Sequence, residues 1–156
     1  DLCFIPLAGG HTGNALDRGG FVDMTISHTR DTMARAVMEG IAFELRWAIE
    51  EIQGGSIAVD ELTMVGGAAE SPLWPQIVAD VTGLPVVVPA ERQAAARGAA
   101  ILAGVGAGVF ADAAAGFAAF RGAETRLEPQ VPVTRIYNAA YAHYRARFAA
   151  VRETYS

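Results

Sequence analysis

Lysine is absent from this chain: all 12 basic residues are arginine. No side chain can therefore form a Schiff base through an ε-amine or clamp a phosphate as a lysine does. Cysteine is limited to Cys3, which excludes an internal disulfide and a zinc site built on thiolates. A single thiol suits a reducing compartment, and a cytoplasmic location is expected. No apolar run reaches the roughly 18 residues that would cross a bilayer, and no basic n-region precedes an apolar h-region, so no membrane partner is expected. Excess positive charge is missing as well. The formal net charge is −5, which argues against a nucleic-acid partner. His11, His28 and His143 are scattered, without the His-Glu-x-x-His spacing of a metal site, so no metal ligand is assigned.

What is present reads as a folded unit. Of 156 residues, 52% are hydrophobic and 19% charged, enough for one domain with a buried core. The opening Asp1-Leu2-Cys3-Phe4-Ile5 lacks an initiator Met and enters a strand at once, so further residues are expected upstream. Leu2 to Leu7 reads as a buried strand, and the glycine-rich stretch 9–20 as a loop. Thr29 to Gln53 has the spacing of a long helix, with Met33, Val37, Ile41, Leu45, Ala48, Ile49 and Ile52 as its apolar face. Thr29 or Ser27 would cap it and Gly54-Gly55 would end it. Leu62 to Val65 is a strand. Ser71 is expected to cap a helix with Pro72 at its first position, running to Thr82 and ending at Gly83. Pro85 to Val88 is a strand, Ala94 to Gly106 and Asp112 to Phe120 are helices, and Thr125 to Pro129 is extended. Pro132 opens a last helix, striped by Tyr137, Tyr141, Tyr144, Phe148, Val151 and Tyr155. This alternation predicts α/β layering around a partly parallel sheet.

The sharpest chemical signal is the strand–glycine-pair–helix unit from Val65 to Val81. Gly66 and Gly67 would let a ligand approach the backbone without a Cβ in the way. A helix capped at Ser71 would offer amides and the positive end of a dipole, which suits a nucleotide. The same unit also fits a plain strand-to-helix turn. It is neither a P-loop, lacking Gly-Lys-Ser/Thr, nor a dinucleotide fingerprint, lacking a third glycine. A second signal is the loop with His11, Thr12, Asp17 and Arg18, where Arg18 is a candidate phosphate contact and Asp17 and Arg18 equally fit solvated loop charges. Arg35 and Glu39, four apart on the long helix, read as an ion pair rather than as catalytic groups.

In combination these segments are more specific. Arg18-Gly19-Gly20-Phe21, Ser27-His28-Thr29-Arg30 and Arg35-Ala36-Val37-Met38-Glu39-Gly40-Ile41-Ala42 resemble the C-terminal signature region of the FGGY carbohydrate kinases. Gly66-Gly67-Ala68-Ala69-Glu70-Ser71-Pro72-Leu73-Trp74, with Gln76 to Val81 and Gly83-Leu84-Pro85-Val86 after it, looks like that family's adenosine segment. Gly98-Ala99-Ala100-Ile101-Leu102-Ala103 is similar to the helix that follows. The resemblance covers most of the chain and thins after about residue 125. Ser-His-Thr-Arg and Ser-Pro-Leu-Trp look closest to xylulokinases. Two stretches depart from the pattern: Gly9-Gly10-His11-Thr12-Gly13 stands where relatives often carry Gly-Glu-Arg-Thr-Pro, and Asp23 stands where a glycine is usual.

The resemblance implies an actin-like ATPase, ribonuclease H-like domain with a mixed sheet flanked by helices. Residues 1–156 would be the C-terminal, nucleotide-side domain of the kinase, incomplete at the N-terminus. It implies ATP and Mg²⁺ as cofactors, a sugar as substrate and an N-terminal kinase domain as partner. Gly66, Gly67 and Ser71 would lie beside the adenosine. The catalytic Asp and both phosphate loops are expected in the rest of the kinase. The alternatives are a noncatalytic nucleotide-binding or dimerising module on a kinase-derived fold, or a kinase for gluconate, ribulose or glycerol. The aromatic stripe of the last helix is expected to pack against the kinase body, with a homodimer contact as the other option.

Overall fold

The computed structural model describes residues 2–6, 18–91 and 93–154. His11, Thr12, Asp17, Tyr155 and the Gly9–Gly13 departure lie outside them. Strands β1 (Cys3–Ile5) and β2 (Gly20–Val22) form an antiparallel pair, with Cys3 opposite Val22. The second strand corrects the sequence expectation of a loop as far as residue 20. Three residues led by a glycine leave no periodic signal, and pairing with β1 is what makes them a strand.

Helix α1 (Arg30–Gly54) follows with the expected cap. Thr32 N–H donates to Thr29 Oγ1 at 3.4 Å, and Thr29 N–H donates to Thr32 Oγ1 at 2.8 Å. Gly55 N–H closes the last turn onto the carbonyls of Glu51 and Ile52. The buried face is only partly the one that spacing suggested: Ile49 is buried and Met33, Val37 and Ala48 are half-buried as expected. Ala36, Gly40, Ala42, Phe43 and Ile49 are buried, whereas Ile41, Leu45 and Ile52 are 44%, 37% and 46% exposed. Small residues win the inner face because they let neighbouring backbone come close: a Cβ on Gly40 would sit under 3.0 Å from the carbonyl oxygen of Phe4 in β1.

Strands β3 (Leu62–Thr63) and β4 (Val86–Pro89) run parallel, and β5 (Glu124–Leu127) lies antiparallel on the far side of β4. This is the expected α/β arrangement with a mixed sheet. β3 is two residues shorter than the apolar run Leu62 to Val65, because the ladder to β4 ends at Thr63. Helix α2 (Trp74–Thr82) is buried on most sides through Ile77, Val78, Ala79 and Val81. Gly83, left-handed at φ 71°, ends it by donating to Ala79 O at 2.9 Å. Buried Asp80 ties α2 to the last helix: Oδ1 accepts from Gln130 N–H at 2.7 Å and from Gln76 Nε2 at 3.0 Å. Helices α3 (Ala94–Gly106) and α4 (Ala113–Ala119) keep the expected positions, α4 being capped by Asp112, which accepts from Ala115 N–H.

Helix α5 (Val131–Thr154) begins one residue before Pro132, and its stripe from Tyr137 to Phe148 is core within this chain. Tyr137, Tyr141, Tyr144 and Phe148 are buried, and the first three surround Phe43 of α1 with ring centroids 5.2–6.1 Å away. Neither another domain nor a second copy is needed to cover them. Each phenol ends on a carboxylate of α1. Tyr137 donates to Glu39 Oε1 at 2.9 Å, Tyr141 to Glu50 Oε2 at 2.8 Å, and Tyr144 to Glu44. The expected Arg35–Glu39 pair is present at 2.8 Å, and Arg35 Nη2 also donates to Tyr137 at 2.9 Å.

Burial, with Glu39 beside it, pushes the Tyr137 phenol up to about 12 from an ordinary 10.0, and burial beside Glu44 raises Tyr144 further. A phenol raised in the folded state supports folding fully below its unfolded value. That support is lost as pH climbs from about 10 towards 12. In an alkaline absorbance titration, Tyr137 and Tyr144 should therefore ionise only together with loss of structure. Full ionisation of all tyrosines near pH 10, with the far-UV spectrum intact, would contradict the buried Tyr–Glu pairs.

Candidate functional site

The chain leaves β3 at its C-terminal end, beside the C-terminal end of the parallel β4. Met64 N–H still donates to Val87 O at 2.9 Å there. In open α/β sheets this is where ligands are received. Gly66 follows at φ 76°, ψ −166°, a backbone region open essentially to glycine alone. Residues Gly67–Glu70 form a 3-10 turn, closed by Ala69 N–H donating to Gly66 O at 3.0 Å and anchored by the buried Ala69. Among the described residues, a Cβ placed on Gly66 or Gly67 would meet no atom within 4 Å beyond those of its own chain neighbours. The two glycines thus differ: Gly66 is required by its own backbone angles, while nothing inside the described fold requires Gly67.

Ser71 does not cap α2 in the expected way. The helix starts at Trp74, with Pro75 in its first turn, and its N-terminal flanking residue is Leu73. The Ser71 hydroxyl oxygen instead accepts from Leu73 N–H at 3.3 Å and Trp74 N–H at 3.1 Å. Two amides expected to face a ligand are therefore turned onto Ser71. Ser71 is extended at φ −67°, ψ 131°, and the first helical bond is Ile77 N–H to Leu73 O at 3.1 Å, so the serine turn precedes the helix. Both lone pairs of the hydroxyl are engaged, which leaves Ser71 as a hydrogen-bond donor to whatever lies in front of it. Gly66, Gly67 and Ser71 are brought together along one continuous turn.

This turn is an open surface rather than an enclosed cavity. A hollow of about 730 Å³ lies elsewhere, between β1, α1 and α5, and is lined by Cys3, Phe4, Asp23, Glu39, Gly40, Phe43 and His143 among others. Cys3 is buried there and its thiol is pushed up to about 11, chiefly by desolvation, which makes it a poor nucleophile. Among the described residues, no cluster of three or more His, Cys, Asp or Glu is placed to hold a metal ion. No described helix is long and apolar enough to cross a membrane.

Residues 12–107 match the profile of the FGGY family of carbohydrate kinases, C-terminal domain. The chain belongs to this family. It is 32% identical over 155 residues to the xylulose kinase of Staphylococcus epidermidis, covering 97% of this chain and 31% of that protein. It is 40% identical over 128 residues to the ribulokinase of Mycolicibacterium smegmatis, covering 81% of this chain and 23% of that one. A solved structure of a "xyloylose kinase" from Brucella ovis superposes with a TM-score of 0.84 at 26% identity, over 98% of this chain and 32% of that chain. The fold is therefore that of the FGGY sugar kinases, and the chain spans about a quarter to a third of the length of these relatives.

Sequence reasoning missed Asp23 as a structural group. It is left-handed at φ 61° directly after β2, and its Oδ2 lies 3.0 Å from His143 Nε2 and 2.8 Å from Arg147 Nε. The i, i+4 spacing of His143 and Arg147 was legible as one helix face. Their partner, 120 residues away in sequence, was not.

Proposed function

We propose that the protein to which this chain belongs is an ATP-dependent sugar kinase, and that this domain carries the adenosine side of its nucleotide site. The observation that supports the reading most is the Gly66–Gly67 turn after parallel β3 and β4, where no described residue beyond the immediate chain neighbours fills the space of a Cβ. Such a cradle suits the flat edge of a nucleoside lying against backbone. Ser71, with its oxygen occupied by Leu73 and Trp74, would donate its hydroxyl hydrogen to an acceptor on the base or ribose. Val65 and Leu73, partly exposed on either side of the turn, add apolar surface for the nucleoside.

When bound, ATP supplies the transferable phosphoryl group and Mg²⁺ offsets the charge on its phosphates. The described residues offer nucleotide contacts but no metal cluster, so the metal would be held by the phosphates and by groups elsewhere in the kinase. The acceptor is a sugar hydroxyl, and relatives named as xylulose kinases make D-xylulose the first substrate to try. The N-terminal kinase domain would form the other wall of the open turn and bring the base that takes the hydroxyl proton.

The test compares the 156-residue chain with the longer protein that contains it, in a coupled ADP-release assay with D-xylulose, L-ribulose, gluconate and glycerol. The longer protein should turn over one of them well above the others. The chain alone should show no turnover, because positioning and charge stabilisation by the missing groups are worth many orders of magnitude. Turnover by the chain alone at the rate of the longer protein would overturn this division of labour.

A further inference from the structure

The tyrosine stripe of α5 is covered within this chain, but one face of α1 is not. Ala34, Val37, Ile41, Leu45, Ala48 and Ile52 recur at spacings of three and four and so share one side of the helix. Ile41, Leu45 and Ile52 are 44%, 37% and 46% exposed, Ala34 is exposed, and Val37 and Ala48 are half-buried. Glu44, at the border of this face, is engaged by the Tyr144 hydroxyl. The other side of α1 already holds Ala36, Gly40, Ala42, Phe43 and Ile49 in the core. The helix is thus apolar on two opposite sides, whereas a helix at the surface of a finished domain keeps its outer face polar. Two strands are uncovered as well. β1 is paired on its β2 side alone and β3 on its β4 side alone, and no ladder joins the two sheets among the described residues. At β3, the N–H groups of Leu62 and Met64 donate towards β4, so the amide and carbonyl of Thr63 point to the unpaired edge.

We infer that this face of α1 is an intramolecular docking surface, taken by an extended apolar segment from the residues that precede β1 in the longer kinase. This rests on the reading above only in requiring a longer protein, not in its substrate. Length supplies the segment: the chain spans 31% of its xylulose kinase relative. Continuity places it. The Phe4 carbonyl of β1 lies against Gly40, next to Ile41 in α1, so the chain that enters β1 arrives alongside this face. Chemistry fits it, because an extended segment brings both apolar side chains and the backbone N–H and C=O groups that open strand edges lack. Residues 7–17 carry only Leu7 and Leu16 as large apolar side chains, too few for a face that runs about 27 Å along the helix. A second copy is disfavoured by area. A face about 27 Å long and about 10 Å wide offers roughly 270 Å², against about 800 Å² per partner in a standard interface between separate proteins. A segment of the same chain needs no such area, since its tether supplies the effective concentration.

Ile41→Cys and Ile52→Cys in the longer protein, each treated with a maleimide, read the cover directly, since Cys3 is itself buried. Both new thiols should react about 100-fold or more slowly than in the same protein unfolded in urea, at a rate that does not change with protein concentration. Ile52 lies close to the end of α1, so its variant keeps the test alive if the one at residue 41 does not fold. With p-benzoylphenylalanine in place of Ile52, irradiation should cross-link α1 to a peptide that precedes Asp1, located by mass spectrometry. Labelling near the unfolded rate at either position leaves the face in water and overturns the docking surface. Protection that grows with protein concentration, or a cross-link to a second copy, gives the face to a dimer instead. A cross-link to residues 7–17, or to any part of the protein after residue 154, overturns the preceding segment as the occupant. A longer protein that phosphorylates no sugar would remove the kinase reading and leave labelling and cross-linking to judge the docking surface alone.

Discussion

Replacing Gly67 with valine should weaken ATP binding by the longer protein about 10- to 100-fold, roughly 1.4–2.8 kcal/mol, and leave its melting temperature nearly unchanged. The two halves of that expectation come from one observation. Among the described residues, no atom beyond its own chain neighbours stands within 4 Å of a Cβ at Gly67, and its φ does not lie in the left-handed region, so the described fold accommodates a side chain. A valine isopropyl group would instead occupy the space in front of the turn, where a nucleoside would lie against backbone. Gly67→Ala should fall between wild type and valine. Gly66 is the wrong residue for this test: at φ 76° any side chain strains the turn, and lost binding there would not distinguish a blocked site from a distorted one. Isothermal titration with ATP decides the matter. Unchanged affinity in a folded Gly67→Val protein would remove the nucleotide from this turn.

Features governed by neighbours in sequence were legible. Thr29 caps α1 because its hydroxyl needs only the amide three residues on, and Gly83 ends α2 through its own backbone freedom. The glycine pair after β3 was legible as a turn open to a ligand. What Ser71 does there was not, because a serine before a proline can cap a helix or close a turn, and the choice depends on where Trp74 and Pro75 pack. The inner face of α1 was only partly legible: Ile49 is buried as periodicity indicated, but Ala36, Gly40 and Ala42 give no strong apolar signal and are buried because the helix is pressed against a strand. The Tyr137–Glu39, Tyr141–Glu50 and Tyr144–Glu44 pairs, like the contacts of Asp23 with His143 and Arg147, join residues about a hundred apart and have no local signature.

Gly40 carries the other large expected effect. Helix propensity alone says that alanine at a helix interior is about 1 kcal/mol better than glycine. Gly40→Ala should do the opposite and destabilise the protein by about 2–3 kcal/mol, or roughly 4–12 °C in Tm. The added methyl would lie under 3.0 Å from the carbonyl oxygen of Phe4, 3.1 Å from its carbonyl carbon and 3.3 Å from its ring. The first two are backbone atoms and cannot rotate away as a side chain would. Nor can β1 retreat easily, since Ile5 is fully buried, Cys3 is buried, and the strand is paired to β2. α1 is held from its other sides by Phe43 among the tyrosines of α5 and by Ile49 in the core. The strain must therefore separate α1 from β1, and the amides of Cys3–Ile5 and Gly20–Val22 should lose exchange protection before those of α2. A melting temperature equal to or above wild type would mean that helix propensity prevails at residue 40, and that the close approach of α1 to β1 does not hold this side of the core together.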